Sequence, residues 1–383
     1  MSISKHSKPG LEENVAVLSP KQLTWLRFRQ HGLGFFALYL LFVMYGVAAF
    51  AGFFAPYEQN QRDTNFIYCP PQLLKFSFND GLYVNAVKKE IDPETLVVAY
   101  RLTEKRVPIG LFRRGEAQQI LGLWETKWRF LSIDHNRWQK QNPSADDMDI
   151  YPSFHLLGAD AFGRDIVSRL LFGSQISLSI GLVAIAVTFV IGVFVGGISG
   201  YFGGRLDNFL QRCIEIINSI PELPLWLALA AVVPNEWSPV TTYFAITILL
   251  SFLGWTATAR TVRGKILSLR EEDYAMAARL LGARDKRIIF RHLVPGFTSH
   301  IIVALTLSVP TMILGETALS FLGLGLRPPA VSWGVMLQDC MNMNVLANYP
   351  WLLMPVVLIV ITVLSFNFLG DGLRDASDPM ASR

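Results

Sequence analysis

Six stretches of the chain are apolar over the roughly 20 residues that a helix needs to cross ~30 Å of hydrocarbon. They are 33–54, 176–199, 213–233, 240–259, 297–320 and 351–370. This pattern predicts an all-α membrane protein with six transmembrane helices. The third stretch is the most polar, interrupted by Glu215, Asn218 and Glu222 and by Pro221 and Pro224. Two prolines kink a helix and free backbone carbonyls, which lipid cannot satisfy. That stretch is therefore expected inside a bundle, away from lipid.

Between the first two stretches, residues 55–157 alternate aromatic and charged positions, as in WETKWRF (124–130) and HNRWQK (135–140). Turn signals occur at Asn79-Asp80-Gly81 and Asp92-Pro93. YVNAVKKEI (83–91) and TLVVAYRL (95–102) fit short strands or helix pieces equally well. The segment is long enough for a small inserted α+β domain. After it, Phe162, Ile166 and Leu170 recur every four residues, predicting an amphipathic helix lying in the interface over 158–172. Gly192, Gly196 and Gly200 form a small-residue ridge on the second span, which lets another helix approach closely.

One polar segment, 271–295, reads EEDYAMAARLLGARDKRIIFRHLVP. Ser268 and Glu271 have the spacing of a capping box, and Glu271, Glu272 and Asp273 suit the positive end of a helix dipole. Gly282 suits a left-handed cap, so a helix is expected over 269–281, with Pro295 redirecting the chain into the fifth span. Tyr274, Ala277, Ala278 and Leu281 share one face by their spacing. Such a slim ridge fits a groove on another protein, or rests on the inner leaflet; the helix pattern alone allows both.

Composition agrees with a membrane protein: 51% of the 383 residues are hydrophobic and 17% charged, against about a quarter charged in soluble domains. The net charge of +4 is too small and scattered for nucleic acid. Its placement sets the topology. Lys5, Lys8, Lys21, Arg27 and Arg29 precede the first span, and the segment between the fourth and fifth spans is rich in arginine. Both belong in the cytoplasm, and six crossings return the C-terminus there. The loop 234–239 (PNEWSP), without Lys or Arg, falls outside. The first span is expected to stay as an anchor, despite the cleavage-like Ala49-Phe50-Ala51, because it is long and about 30 residues precede it.

The chain offers little chemistry of its own. It has no G-x-x-x-x-G-K-[ST] loop, since Gly264-Lys265 is followed by Ile266. Its six histidines are scattered, no His/Cys spacing suggests zinc, and no Gly-x-Ser-x-Gly elbow occurs. Asp146, Asp147 and Asp149 lack the glycine and terminal glutamate of a calcium loop. No catalytic, cofactor or metal site is expected. Cys69 and Cys340 both fall outside the membrane, as a disulfide or as two free thiols.

At Ala277, Ala278, Gly282 and Pro295 the sequence resembles the permease subunits of ABC transporters, specifically the oligopeptide/dipeptide/nickel importer family, in which Glu-Ala-Ala, three residues, Gly and nine residues lead to an apolar group ending in proline. Met276 stands where that family usually has glutamate. Four further blocks resemble it in order: 157–169, 200–207, 316–334 and 370–379. The longer outer segment and the opening SPKQLTWLRFRQHGLGFFALYLL are similar to the branch of microcin C and peptide permeases.

The resemblance implies a type I ABC importer permease in the bacterial inner membrane. Its parts would be a tail (1–32), a first helix (33–54), an extracytoplasmic domain (55–157), the interfacial helix (158–172), a transmembrane core (173–371) and a tail (372–383). Within the core, 260–296 would be a loop whose residues Tyr274, Ala275, Met276, Ala277, Ala278, Arg279, Gly282 and Pro295 couple to separate ATPase subunits, which bind ATP and Mg. A second permease would complete the path, and an extracytoplasmic binding protein would dock on 55–157 and 323–334. Asn218, Ser219, Thr247, Ser251, Thr306 and Thr311 are candidate path-lining residues. Two other classes compete: an ion-coupled secondary transporter, for which Glu215 and Glu222 flanking the kinked helix, with Glu316 and His300, make a thin relay, and a membrane-anchored sensor or assembly protein.

Overall fold

The computed structural model describes residues 20–78, 81–91, 98–120, 124–142 and 151–377. Five helical stretches among them are long and apolar enough to cross a membrane, or six if one bent pair counts as a single span.

The segment expected as a plain tail already holds a helix, α1 (Pro20–Gln30). His31 ends it and starts α2 (Gly32–Ala49): its ring Nδ1 accepts a hydrogen bond from Gly34 N at 3.0 Å. A short helix, α3 (Ala51–Phe54), leads into an antiparallel sheet of β1 (Lys75–Ser77), β2 (Gly81–Ile91), β3 (Val98–Ile120) and β4 (Trp124–Ile133), in that order. WETKWRF is thus strand; HNRWQK lies in α4 (His135–Gln141), capped by the Asp134 carboxylate. The sheet has its own core of Val84, Ala86, Val107, Ile109, Ile133 and Phe154. Phe112 and Phe130 pack on Phe53 of α3, with ring centroids 6.0 and 6.2 Å away, which seats the sheet on the end of the first span. The Asp146, Asp147 and Asp149 cluster and Asp92-Pro93 lie outside the described residues.

The amphipathic helix expected over 158–172 does not form as a separate element. Residues 158–165 are a turn, with Gly158 and Gly163 at φ of +86° and +70°. The Asp160 carboxylate holds that turn by accepting from Phe162 N, Arg164 N and the Arg164 and Arg169 guanidinium groups. The long second span, α5 (Ile166–Phe202), starts at Asp165, whose carboxylate accepts from Ser168 N at 2.8 Å. Ile166 and Leu170 face the core of the bundle, whereas Phe162 is exposed. The four-residue stripe recorded inward packing, not an interfacial position.

The third span is α6 (Gly204–Asn218) and α7 (Glu222–Ala230), bent by 81° at Pro221. Pro224 falls in the first turn of α7, where its missing N–H costs nothing. The break was legible; the expected enclosure is not provided by this chain. Asp207, Ile214, Trp226 and Ala230 are the buried residues of the pair, while Phe209, Ile216 and Leu223 are exposed.

The fourth span, α8 (Pro239–Leu269), continues well past 259. It lies against α5 along the glycine ridge: a Cβ on Gly196 or Gly200 would meet the carbonyls of Ala259 or Arg263. A short helix α9 (Asp273–Leu280) follows. The fifth span is helical over Asp285–Phe321 and includes α10 (Thr298–Phe321). Beyond it come a short turn of helix, α11 (Trp333–Met336), and the last span, α12 (Met354–Ser377). The boundary drawn at 371/372 is overrun, because α12 continues through Gly372. There it crosses α2 with little between the two backbones, Gly34 facing Gly372.

Cys69 and Cys340 are free and buried. Burial pushes the Cys69 thiol up to about 12 and the Cys340 thiol up to about 11. At pH 8 almost none of either is thiolate, the reactive form. A maleimide is therefore expected to leave both unmodified in the folded protein and to modify both in denaturant, as read by mass spectrometry of their peptides.

Candidate functional site

The loop between α8 and α10 is built differently from its sequence reading. Ser268 lies inside α8, which ends at Leu269 with Arg270 as its cap, so no capping box starts the next helix. After a tight turn α9 begins at Asp273, giving eight residues instead of the thirteen of 269–281. The C-terminal end is as expected. Gly282 takes φ +76°, its N–H reaches Arg279 O at 3.0 Å, and Ala283 N reaches Ala278 O at 3.0 Å. These two bonds are a Schellman closure, which satisfies the last carbonyls of the helix.

The faces of α9 also differ from expectation. Ala275 is buried and Ala278 half-buried, both packed in a cluster with Val262, Ile266, Ile288, Leu293 and Phe297. Arg279 lies over the Tyr201 ring at 5.6 Å. The outward face is Met276, Ala277, Leu280 and Leu281, with Tyr274 at its edge. Leu280 and Leu281 are 89% and 88% exposed, the opposite of what their chemistry favours in water. The alanines therefore split. One pair member, Ala278, faces the chain's own core, and the other, Ala277, faces away.

The mount beneath α9 is polar and rigid. Arg270 Nη1 donates to Gly200 O and Tyr201 O at 3.1 and 3.2 Å, and Tyr201 donates to Asp285 at 2.9 Å. Arg263 forks onto the Asp207 carboxylate at 2.5 and 2.6 Å. Paired bonds of this kind fix direction as well as distance. They brace the chain on either side of α9 against α5 and tie α6 to α8. Burial, aided by the nearby Glu272 carboxylate, raises the Tyr274 hydroxyl above its ordinary value, so it stays a neutral donor at any physiological pH. Pro295 lies in the turn leading into α10.

At the end of the bundle opposite α9, the loop after α10 is organised by Glu316, which is fully buried on α10. Ser320 and Ser332 donate to its Oε1 at 2.8 and 2.7 Å, and Ser177 of α5 donates to Oε2 at 3.4 Å. Each hydroxyl oxygen then accepts a loop amide. Ser320 takes Leu326 N at 2.9 Å, Ser177 takes Trp333 N at 3.1 Å and Ser332 takes Val335 N at 3.2 Å. One carboxylate thus orients three hydroxyls, which in turn hold 326–335. No pattern in the sequence joins residues 177, 320 and 332. The available signal was a glutamate among apolar residues, which is costly unless it is held.

The six path-lining candidates are not brought together. Thr247 and Ser251 are buried in the α5–α8 seam and bonded to Tyr243 O and Thr247 O, at 2.7 and 2.6 Å. They face no open path, contrary to expectation. Such back-bonding satisfies a hydroxyl inside its own helix. Ser219 bonds back to Ile216 O, and Thr306 to Ile302 O. Thr311 is exposed on α10. Two of the six reach another helix: Asn218 accepts from Thr256 of α8 at 3.0 Å, and Ser251 also donates to Ala184 O of α5 at 3.1 Å. Among the described residues no His/Cys/Asp/Glu group is arranged to hold a metal.

Comparison with known proteins places these features. Residues 191–383 match the family profile of the binding-protein-dependent transport system inner membrane component. Residues 19–71 match that of the N-terminal TM domain of oligopeptide transport permease C. The sheet falls between the two matched regions. The oligopeptide transport system permease protein OppC of Bacillus subtilis is 42% identical over 226 residues, 59% of this chain and 72% of the relative. The dipeptide transport system permease protein DppC of the same organism is 39% identical over 246 residues, 64% and 72% of the two chains. The glutathione transport system permease protein GsiD of Pectobacterium atrosepticum is 39% identical over 227 residues, 59% and 73%. A match that takes in the broken span, the α9 loop and the Glu316 loop, at such identity, decides the family: the chain belongs to the binding-protein-dependent transport system inner membrane components, the permeases of ABC importers.

Proposed function

We propose that this chain forms half of the translocation path of an ATP-driven peptide importer and receives its motion through α9. The path lies between this chain and a second, similar permease; one or two ATPase subunits bind ATP and Mg beneath them. A binding protein delivers cargo on the outer side, where 323–334 and the sheet domain are its docking surfaces. Both chain termini and α9 face the cytoplasm, in keeping with the arginine-rich loop and the positive-inside rule.

The observation that carries this reading is the two-sided build of α9. Its inner face packs, through Ala275, Ala278 and the Arg279–Tyr201 contact, against α5, α8 and the start of the fifth span, while its outer face presents Leu280 and Leu281 to nothing in this chain. A helix held firmly on one side and apolar on the other suits a lever more than a leaflet rest, since Arg279 is its only cation and interfacial helices carry several. Peptide cargo is inferred from the relatives, whose names specify oligopeptide and dipeptide transport.

A photo-crosslinker at Leu280 tests the docking. In cells expressing the complete transporter it is expected to trap an ATP-hydrolysing subunit. Adducts to lipid alone would overturn the docking role of α9.

A further inference from the structure

We infer that the break in the third span forms a subsite for the charged ends of a short peptide in transit, with Arg260 reading the free carboxylate and Glu222 the free ammonium group. The inference rests on the peptide reading above.

The 81° bend between α6 and α7 opens a cavity of about 180 Å³ against α8. Its polar lining is Asn218, Glu222, Thr256 and Arg260. Asn218 Oδ1 accepts from Thr256, itself buried, which fixes the amide plane and leaves the amide hydrogens unclaimed among the described residues. Glu222 and Arg260 line this same cavity, yet neither makes an ion pair or side-chain hydrogen bond among the described residues.

Charges along a membrane-crossing segment are costly and mark the paths of polar cargo. Two opposite charges sharing a cavity without pairing complement a ligand that carries both signs. A guanidinium forks onto a carboxylate, and a carboxylate accepts from an ammonium group; both are charge-assisted bonds. The Asn218 amide adds a donor between them. Sites that enclose a whole small ligand run to ~300–1,000 Å³, so this cavity holds ends only. The body of the peptide lies outside it, on the uncovered face of α6 and α7 where Ile216 and Leu223 are exposed. That apolar face tolerates varied side chains while the charged ends stay constant.

The test uses the complete transporter in proteoliposomes, with its binding protein, and one tripeptide in three forms: free, C-amidated and N-acetylated. The binding protein's own preference is common to wild type and variants, so the comparison is between KM ratios. In Arg260→Gln the amidated-to-free KM ratio is expected to fall about tenfold relative to wild type, the worth of one charge-assisted bond. The acetylated-to-free ratio should hold. Glu222→Gln is expected to show the reverse. Arg260→Lys keeps the charge without the fork and should lower the first ratio less; it also stands in should Arg260→Gln fail to insert. If the variants raise KM for all three peptides together, both ratios stay constant, the residues only support the bend, and the subsite is overturned. If the wild-type transporter carries none of the three, the peptide reading itself falls, and this inference with it.

Discussion

Leu280→Asp and Ala277→Glu are expected to cut ATP-driven uptake by about a hundredfold while the chain still inserts at wild-type levels. Both side chains point away from the fold, Leu280 being 89% exposed. Substitutions at such positions change stability by only about 0.5 kcal/mol in either direction. Their effect is therefore confined to whatever covers α9. Burying an unpaired carboxylate in an apolar groove costs about 3 kcal/mol or more, or two decades in affinity. Ala278→Glu is the informative contrast, because Ala278 packs among Ile288, Leu293 and Phe297. That change should loosen α9 itself and lower the yield of folded chain. Uptake into proteoliposomes, with copurification of the ATPase, checks all three. Full uptake in the Leu280 variant would show that the exposed face carries no coupling.

Glu316→Ala should be the most damaging single change at the end of the bundle away from α9. It removes the common acceptor of Ser177, Ser320 and Ser332 in a region without water access. Leaving buried hydroxyls unmatched costs roughly 3 kcal/mol or more, and the cavity adds to it. Three loop amides then lose oriented acceptors, so 326–335 is freed together. Glu316→Gln keeps one oxygen for Ser320 and Ser332 but turns an N–H₂ toward Ser177, whose hydroxyl must rotate. It should lie between wild type and alanine. The thermal midpoint of the detergent-solubilised chain reports the loss, and protease cleavage within 323–334 reports the release of the loop. An alanine variant as heat-stable and protease-resistant as wild type would show that the hydroxyls find other partners.

How much of this was readable beforehand depends on the range of the interaction. The apolar runs named the five long helices and the bent pair, and Pro221 named the break, because length and a missing N–H act locally. Gly282 was also legible, since a left-handed closure needs a glycine. The start of α9 was misplaced because a Ser-x-x-Glu spacing reads as a cap wherever it occurs, and α8 simply ran through Ser268. The orientation of the alanine face depends on which side Tyr201 and the fifth-span entry approach. These residues lie some distance away in sequence, so periodicity alone could not choose. For the same reason Thr247 and Ser251 read as polar and available, when contact with α5 had already enclosed them. The Glu316 assembly joins residues 139 apart in the chain, beyond any local pattern.

The glycine seam between α5 and α8 has a mechanical consequence. With carbonyls of one helix where side chains of the other would stand, the two behave as a single girder. At 1.5 Å per residue the 31 residues of α8 make a beam of about 46 Å. Pivoting it by about 5° at the end near α9 sweeps its far tip through roughly 4 Å, about three quarters of a helical turn. A small tilt at one end of the girder is thereby enough to displace the other by more than the width of an atom.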